Sequence, residues 1–274
     1  MKIYPDAKIN LGLNVVRKRE DGFHDIETVF YHVPIFDTID IEENDDSDND
    51  CELTVTGIEI NGNPDDNLVV KAYRMLAADF NLPKVKITLE KGIPTQAGMG
   101  GGSSDCAYTL RLLNEMFSLD LSNDKLRDYA ARLGSDCAFF IEDCPQYAEG
   151  KGEILTPIDG SLAGYYIAVV KPNAAVSTAQ AYSNVNVGLP EHNCLDVVNC
   201  HNVNDWRELL YNDFEDSIFP MLPEVKAVKD KLYELGANFA MMSGSGSAVF
   251  GIFESKPENI DKIFSNYYNK VVKL

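Results

Sequence analysis

Apolar and polar residues alternate along some stretches of the chain and recur every three or four positions along others. Thr38-Ile39-Asp40-Ile41, Leu53-Thr54-Val55 and Val85-Lys86-Ile87-Thr88-Leu89-Glu90 carry the two-residue period of half-buried strands. The span from Val15 to Ile60 reads as β-rich. Within it, Glu42 to Asp50 holds six acids and reads as the solvated loop of a hairpin. The helical period follows Asp66-Asn67, where Val69, Tyr73, Leu76 and Phe80 share a face and Asn81 and Pro83 close it. Ala107, Leu110 and Leu113 mark a second helix opened by Ser103-Ser104. Leu126, Tyr129, Ala130 and Leu133 mark a third, capped by Ser122 and ended by Gly134.

The pattern loosens from Thr156 to Gly164, where Pro157, Gly160 and Gly164 interrupt it. A boundary there divides the chain into an N-terminal domain over 1–158 and a C-terminal domain over 159–274. Beyond it come an apolar strand from Tyr165 to Val170 and a helix with Val225, Val228, Leu232 and Leu235 on one face. That helix starts at Pro223 and closes at Gly236, and a Gly/Ser loop and the apolar strand Ala248 to Phe253 follow. Strands and helices mix without regular βαβ alternation, which favours an α+β fold.

With 274 residues, 45% of them hydrophobic, the chain buries enough surface to need no disulfide or metal staple. Its net charge of −19 argues against a nucleic-acid partner, because phosphate binding feeds on Lys and Arg. A small anionic ligand needs only a local basic patch, and Lys2, Lys8, Arg17, Lys18 and Arg19 against Asp6 offer one. Asp6, Lys8 and Asn10 interrupt any apolar leader after Lys2. Asn238 and the run Ser243 to Ser247 spoil the longest uncharged stretch as a membrane span. A cytoplasmic protein with no membrane partner is expected. None of the six cysteines forms a C-x-x-C pair, and Cys106 and Cys137 read as buried thiols of a reducing compartment. His192, Cys194, Cys200 and His201 carry zinc-ligand atoms without the paired spacing of zinc sites, so they read as a polar loop and no metal ligands are assigned.

The strongest chemical signal is Pro94-Thr95-Gln96-Ala97-Gly98-Met99-Gly100-Gly101-Gly102-Ser103-Ser104. It joins a predicted strand to a predicted helix. Helix N-termini present unpaired N–H groups and partial positive charge, glycines let an anion approach the backbone, and two hydroxyls add donors or metal ligands. Such a loop cradles phosphate. It is no Walker loop, since Gly102 stands where the lysine belongs, so the missing positive charge must come from elsewhere in the fold or from Mg²⁺. The alternative is a flexible connector with a Ser cap.

Gly98 to Ser104 resembles the second motif of the GHMP kinase superfamily. Ala7-Lys8-Ile9-Asn10-Leu11 resembles its first, and Met242-Ser243-Gly244-Ser245-Gly246-Ser247-Ala248-Val249-Phe250 its third. The likeness is strongest to members that act on a cytidine-diphosphate-linked methylerythritol. Arg19-Glu20-Asp21-Gly22-Phe23-His24, Gly134-Ser135-Asp136, Ala148-Glu149-Gly150-Lys151-Gly152-Glu153 and Asn212-Asp213-Phe214-Glu215 carry it, in order along nearly the whole chain. The resemblance implies a two-domain GHMP kinase fold, with an N-terminal ATP-binding domain like ribosomal protein S5 domain 2 and a ferredoxin-like C-terminal domain. It implies phosphorylation of the methylerythritol 2-hydroxyl by ATP and Mg²⁺. Asp136 would be the base and Lys8 its partner, with Asn10 beside them at the acceptor. Pro94, Gly98, Gly100, Gly101, Gly102, Ser103 and Ser104 would hold the ATP phosphates, with Asn67 and Lys91 on the adenosine side. His24 would bond the cytosine edge while Phe23 and Tyr182 flank the ring. Phe23 stands where the family usually has Tyr, and Cys137-Ala138 where it has Val-Pro.

From spacing alone Asp136 is equally a helix cap, His24 a structural histidine, Tyr182 an ordinary core aromatic and Ser243 to Ser247 a hairpin turn. A homoserine or mevalonate kinase, or a nucleotide-binding protein without turnover, would share the glycine loop.

Overall fold

The structure, a computed structural model, describes residues 1–60 and 62–274. Along them the strands are β1 (Lys2–Ile3), β2 (Asp6–Lys18), β3 (His24–Phe36), β4 (Thr38–Glu43), β5 (Cys51–Gly57), β6 (Val85–Lys91), β7 (Gln146–Glu149), β8 (Ile154–Pro157), β9 (Tyr166–Lys171), β10 (Phe239–Met242), β11 (Val249–Phe253) and β12 (Tyr268–Lys273). The helices are α1 (Leu68–Phe80), α2 (Gly101–Met116), α3 (Asn123–Leu133), α4 (Thr178–Ser183), α5 (Cys194–Cys200), α6 (Trp206–Leu209), α7 (Phe214–Met221), α8 (Pro223–Glu234) and α9 (Ile260–Ile263). They gather into two compact units. One comprises Met1–Ala7, Ile35–Thr95 and Gly100–Asp143, the other Lys8–Pro34, Gln96–Met99 and Cys144–Leu274.

The first unit contains the sheet β1-β4-β6-β5. Ile39 lies opposite Leu89 and Ile41 opposite Ile87 in an antiparallel pair, while Leu53 and Val55 meet the same two β6 residues in parallel. The expected hairpin across the acidic run is therefore not formed. β6 has a fully buried apolar face in Val85, Ile87 and Leu89 and takes the centre, leaving the half-exposed β5 at the edge. A parallel pair needs a long crossover, and α1 supplies it between β5 and β6. Asn67 caps α1 by accepting the Val69 N–H at 3.0 Å, and Asn81 ends it at φ 49°. Ser122 caps α3 as expected. Helix α2 starts at Gly101 rather than Ser103, behind Gly100 at φ 70°. A Cβ at Gly101 would stand 3.0 Å from Ile93 Cγ2, so a larger residue at the start of the first turn would have to push the Ile93 side chain aside.

The second unit holds the sheets β2-β3-β7-β8 and β10-β11-β9-β12. In the latter all neighbours are antiparallel, and its strand order is that of a ferredoxin-like β-α-β-β-α-β domain. Helix α8 packs on β10 and β11. Its Val225, Val228 and Leu232 join Phe214, Ile218, Ala240, Met242, Val249 and Phe253 in one core. Helices α4 to α7 and α9 span four to eight residues, too short for a 3.6-residue period to stand out. For the same reason the polar loop expected around Cys194 and Cys200 is helix α5, with Cys194 buried. Cys106 and Cys137 are buried as free thiols.

Leu232→Ala should lower unfolding free energy by about 2–5 kcal/mol, as for a large-to-small change in a closed core. Ser122→Ala should cost only about 1 kcal/mol, the usual worth of an N-cap. Urea denaturation of both variants beside the parent checks the contrast.

Candidate active site

Strand β2 alternates, but both of its faces are buried. Ala7, Ile9, Leu11, Leu13 and Val15 form one face, and Lys8, Asn10, Gly12 and Asn14 form the other. A buried ammonium is costly unless bonded. Lys8 Nζ donates to Asn10 Oδ1 at 2.7 Å and sits 4.8 Å from the Phe30 ring centre. Asn10 Nδ2 donates to Thr28 Oγ1 at 2.9 Å, and the Thr28 hydroxyl donates to the Gly12 carbonyl at 2.5 Å. This relay holds the ammonium in one place, so Lys8 and Asn10 stand together as expected.

Residues 96–99 belong to the same unit as β2. Lys8 N donates to Met99 O at 2.9 Å, and Ala248 N donates to Ala97 O at 3.1 Å. Ser243 Oγ donates to Gly98 O at 2.8 Å. Gly98 has φ 72°, and a Cβ there would lie 1.8 Å from Ser243 O. Its missing side chain thus admits another backbone. Ser243 to Ser247 is the turn between antiparallel β10 and β11, and it is seated on Gly98 as well.

His24 and Tyr182 stack on each other, centres 4.9 Å apart and 18° from parallel. Burial, and then the charge of Lys18, hold the His24 pKa below the ordinary imidazole value. Phe23 is 58% exposed, with Lys151 Nζ 5.0 Å from its ring centre. The basic patch read from the N-terminus is mostly spoken for. Arg17 and Arg19 both bind Asp25, Lys2 lies 3.6 Å from Asp40, and Lys8 is interior.

In the first unit, Pro94 precedes Gly100, Gly101, Gly102, Ser103 and Ser104 at the start of α2, where N–H groups of the first turn lack helical acceptors. Gly102 is exposed and Ser103 half-buried, while Ser104 Oγ is buried without a hydrogen-bond partner among the described residues. Lys91 is buried in a triad, bonded to Asp37 and, at 2.7 Å, to Asp105 of α2. Asp37 also accepts from Gly92 N and Ile93 N, whereas Asp105 Oδ1 has no hydrogen-bond partner among the described residues. Burial pushes Asp105 up to about 8, with Lys91 opposing. Asn67 Oδ1 is engaged in capping α1. Asp136 heads the 3₁₀ turn Cys137–Ile141 and makes no capping hydrogen bond, so the cap reading of its carboxylate does not hold.

Residues 67–143 match the family model for the GHMP kinases N terminal domain, and 196–270 that for GHMP kinases C terminal. The chain is 51% identical to 4-diphosphocytidyl-2-C-methyl-D-erythritol kinase of Bacteroides thetaiotaomicron, covering 93% of this chain and 92% of that one. It is 46% identical to the Parabacteroides distasonis protein of the same name, covering 98% and 97%. A crystal structure of 4-(cytidine 5'-diphospho)-2C-methyl-D-erythritol kinase superposes over 100% of both chains with TM-score 0.80 and 28% identity. The chain belongs to the 4-diphosphocytidyl-2-C-methyl-D-erythritol kinase family. As a kinase of that family it has the two-domain α+β fold expected. No helix among its described residues is long and apolar enough to cross a membrane.

Sequence reasoning passed over Thr28, Phe30, Asp37 and Asp105. Thr28 and Phe30 share a face of β3 two residues apart, a signal available once Lys8 was placed on the neighbouring strand. Asp37 and Asp105 had none, being 68 positions apart.

Gly98→Ala should strain a left-handed residue and push Ser243 away, raising the KM for ATP at least ~10-fold in steady-state assays, given the cost of a non-glycine residue there. Asp105 is protonated in the fold at pH values where the unfolded chain has released that proton. Stability should therefore fall as pH rises from about 4 to 8. Asp105→Asn should flatten that slope in urea melts across the range.

Proposed function

We propose that the chain transfers the γ-phosphoryl group of ATP to the 2-hydroxyl of 4-diphosphocytidyl-2-C-methyl-D-erythritol, a cytoplasmic step of non-mevalonate isoprenoid synthesis. The near-full-length likeness to the Bacteroides thetaiotaomicron kinase carries this reading. The N-terminal family model falls within 1–158 and the C-terminal one within 159–274, which supports assigning ATP binding to the former.

Asp136 serves as the base for the acceptor hydroxyl, and Lys8, held by Asn10, supplies positive charge. An ordinary carboxyl near 3.9 lies about 12 units below an alcohol near ~15.7, a cost of about 16 kcal/mol for prior deprotonation. A turnover of ~10 s⁻¹ allows a barrier of only about 16 kcal/mol in total. Proton transfer therefore comes late, as the loose phosphoryl group reaches the oxygen, and Asp136 chiefly orients the hydroxyl.

The phosphates lie against Pro94 to Ser104, where the α2 start offers free N–H groups. Asn67 and Lys91 serve the adenosine side. Lys91 does so through position, since its ammonium is bound to Asp37 and Asp105 and would lie 3.4 Å from a Cβ at Gly101. The unpartnered Ser104 hydroxyl suits a hard cation, and Ser103 and Ser104 are the residues that would hold Mg²⁺, which when bound neutralises phosphate charge. His24 reads the cytosine edge with Phe23 and Tyr182 flanking it.

An ATP-consumption assay tests the assignment with three acceptors. Turnover is expected with 4-diphosphocytidyl-2-C-methyl-D-erythritol, and turnover with mevalonate or homoserine instead would sink it. Asp136→Asn should lower kcat by about 10²–10⁴-fold, the span of general-base effects, with the ATP KM kept within about threefold. Unchanged kcat would remove Asp136 from the chemistry.

A further inference from the structure

Asn212-Asp213-Phe214-Glu215 precedes and opens α7, and each of its side chains is engaged. Asn212 is 3% exposed, and its Nδ2 donates to Met242 O at 2.7 Å and to Gly244 O at 2.9 Å. Its Oδ1 accepts from Phe214 N at 3.0 Å, so the amide is bonded at both ends. Glu215 accepts from Met242 N at 2.8 Å and from Lys229. Met242 is thus gripped on both sides, and the Gly/Ser turn starts from a fixed residue.

Two further links run to β2 and to the aromatic pair. Asn212 bridges Leu13, Leu13 N donates to Tyr211 O, Asp213 N donates to Leu13 O, and Asp213 Oδ2 accepts from Val15 N at 2.6 Å. The tetrapeptide therefore rides along the strand that carries Lys8 and Asn10. Phe214 is buried and meets Tyr182 edge-on, centres 4.8 Å apart at 89°, while Tyr182 stacks on His24. Gly244, held by Asn212, closes the circuit: a Cβ there would stand 3.2 Å from Gly98 Cα and 3.4 Å from Asn10 Oδ1, the oxygen that holds Lys8.

The geometry points to Asn212 to Glu215 as the positioning element of the kinase's second unit. Asn212 sets the turn behind Lys8 for phosphoryl transfer, and Phe214 sets the Tyr182–His24 pair for the acceptor's base. This rests on the proposed roles of Lys8, His24 and Tyr182, and it adds residues that touch none of the reacting atoms. Loss of folded protein would lower the apparent kcat of either variant and leave both KM values in place, so kcat is normalised to the folded fraction read by circular dichroism before these parameters are compared. A positioning element with two separate outputs splits them.

The test is steady-state kinetics of the full chain with ATP and 4-diphosphocytidyl-2-C-methyl-D-erythritol. Asn212→Asp keeps the shape but turns a carboxylate on two carbonyls, and kcat should fall ~100-fold with acceptor KM within about threefold. Asn212→Ser keeps one short donor and should move kcat in the same direction by a smaller factor, which preserves the test if Asn212→Asp does not fold. Phe214→Leu should raise acceptor KM ~10-fold with kcat and the ATP KM within about threefold. Unchanged kinetics, or kcat and KM shifting together in both the Asn212 and Phe214 variants, would overturn the proposal. Loss of acceptor turnover in the parent protein would overturn the functional reading instead.

Discussion

The second unit depends on a place where two backbones come closer than any side chain would allow. Gly98 presents bare Cα to the carbonyl of Ser243, and the Ser243 hydroxyl bonds back to the Gly98 carbonyl. That contact locks the segment 96–99 beside Ala248 and Lys8, while its flanking residues remain with the first unit. A glycine-rich loop is usually explained by room for an anion. Here one of its glycines is already required by protein packing, and the loop is ordered before any ligand is considered.

Both units keep ammonium groups out of water, by different means. Lys8 donates to the Asn10 amide oxygen and lies against the Phe30 ring. Lys91 is shared between two carboxylates. Asp37 collects two backbone N–H groups besides, and burial pushes the Asp105 carboxyl up to about 8, so that Asp105 holds a proton at neutral pH. The triad is then a single ion pair plus a neutral acid, and no net negative charge lies beneath the first turn of α2. A phosphate at the start of α2, as proposed, would meet less repulsion from that arrangement than from a buried dicarboxylate.

The family places these features in a chemical setting. Kinases that transfer phosphoryl groups through loose transition states gain most of their rate from placement and fixed charge. A chain of hydrogen bonds from Thr28 through Asn10 to Lys8 supplies that kind of rigidity. The acidic surface is compatible with it, because charges beyond about 8–10 Å are screened at physiological salt.

What could be read without coordinates was whatever depends on neighbours in the chain. The alternation of Val85 to Glu90, the cap at Ser122 and the run of glycines after Pro94 all follow from local sterics and hydrogen bonding. Lys8 was legible as part of a basic N-terminal run and the family resemblance gave it and Asn10 their roles, but the strand that aligns them starts at Asp6, ahead of the β-rich span read from Val15. Pairing was not legible. That β6 rather than β4 lies beside β5 depends on which apolar face is buried deepest, and several pairings satisfy the same alternation. Asp37 reaches Lys91 across 54 positions and Asn212 reaches Gly244 across 32, and no period or composition encodes such meetings. Only the folded chain decides which buried polar groups satisfy one another, because the cost of leaving one unpaired is felt only when water has gone.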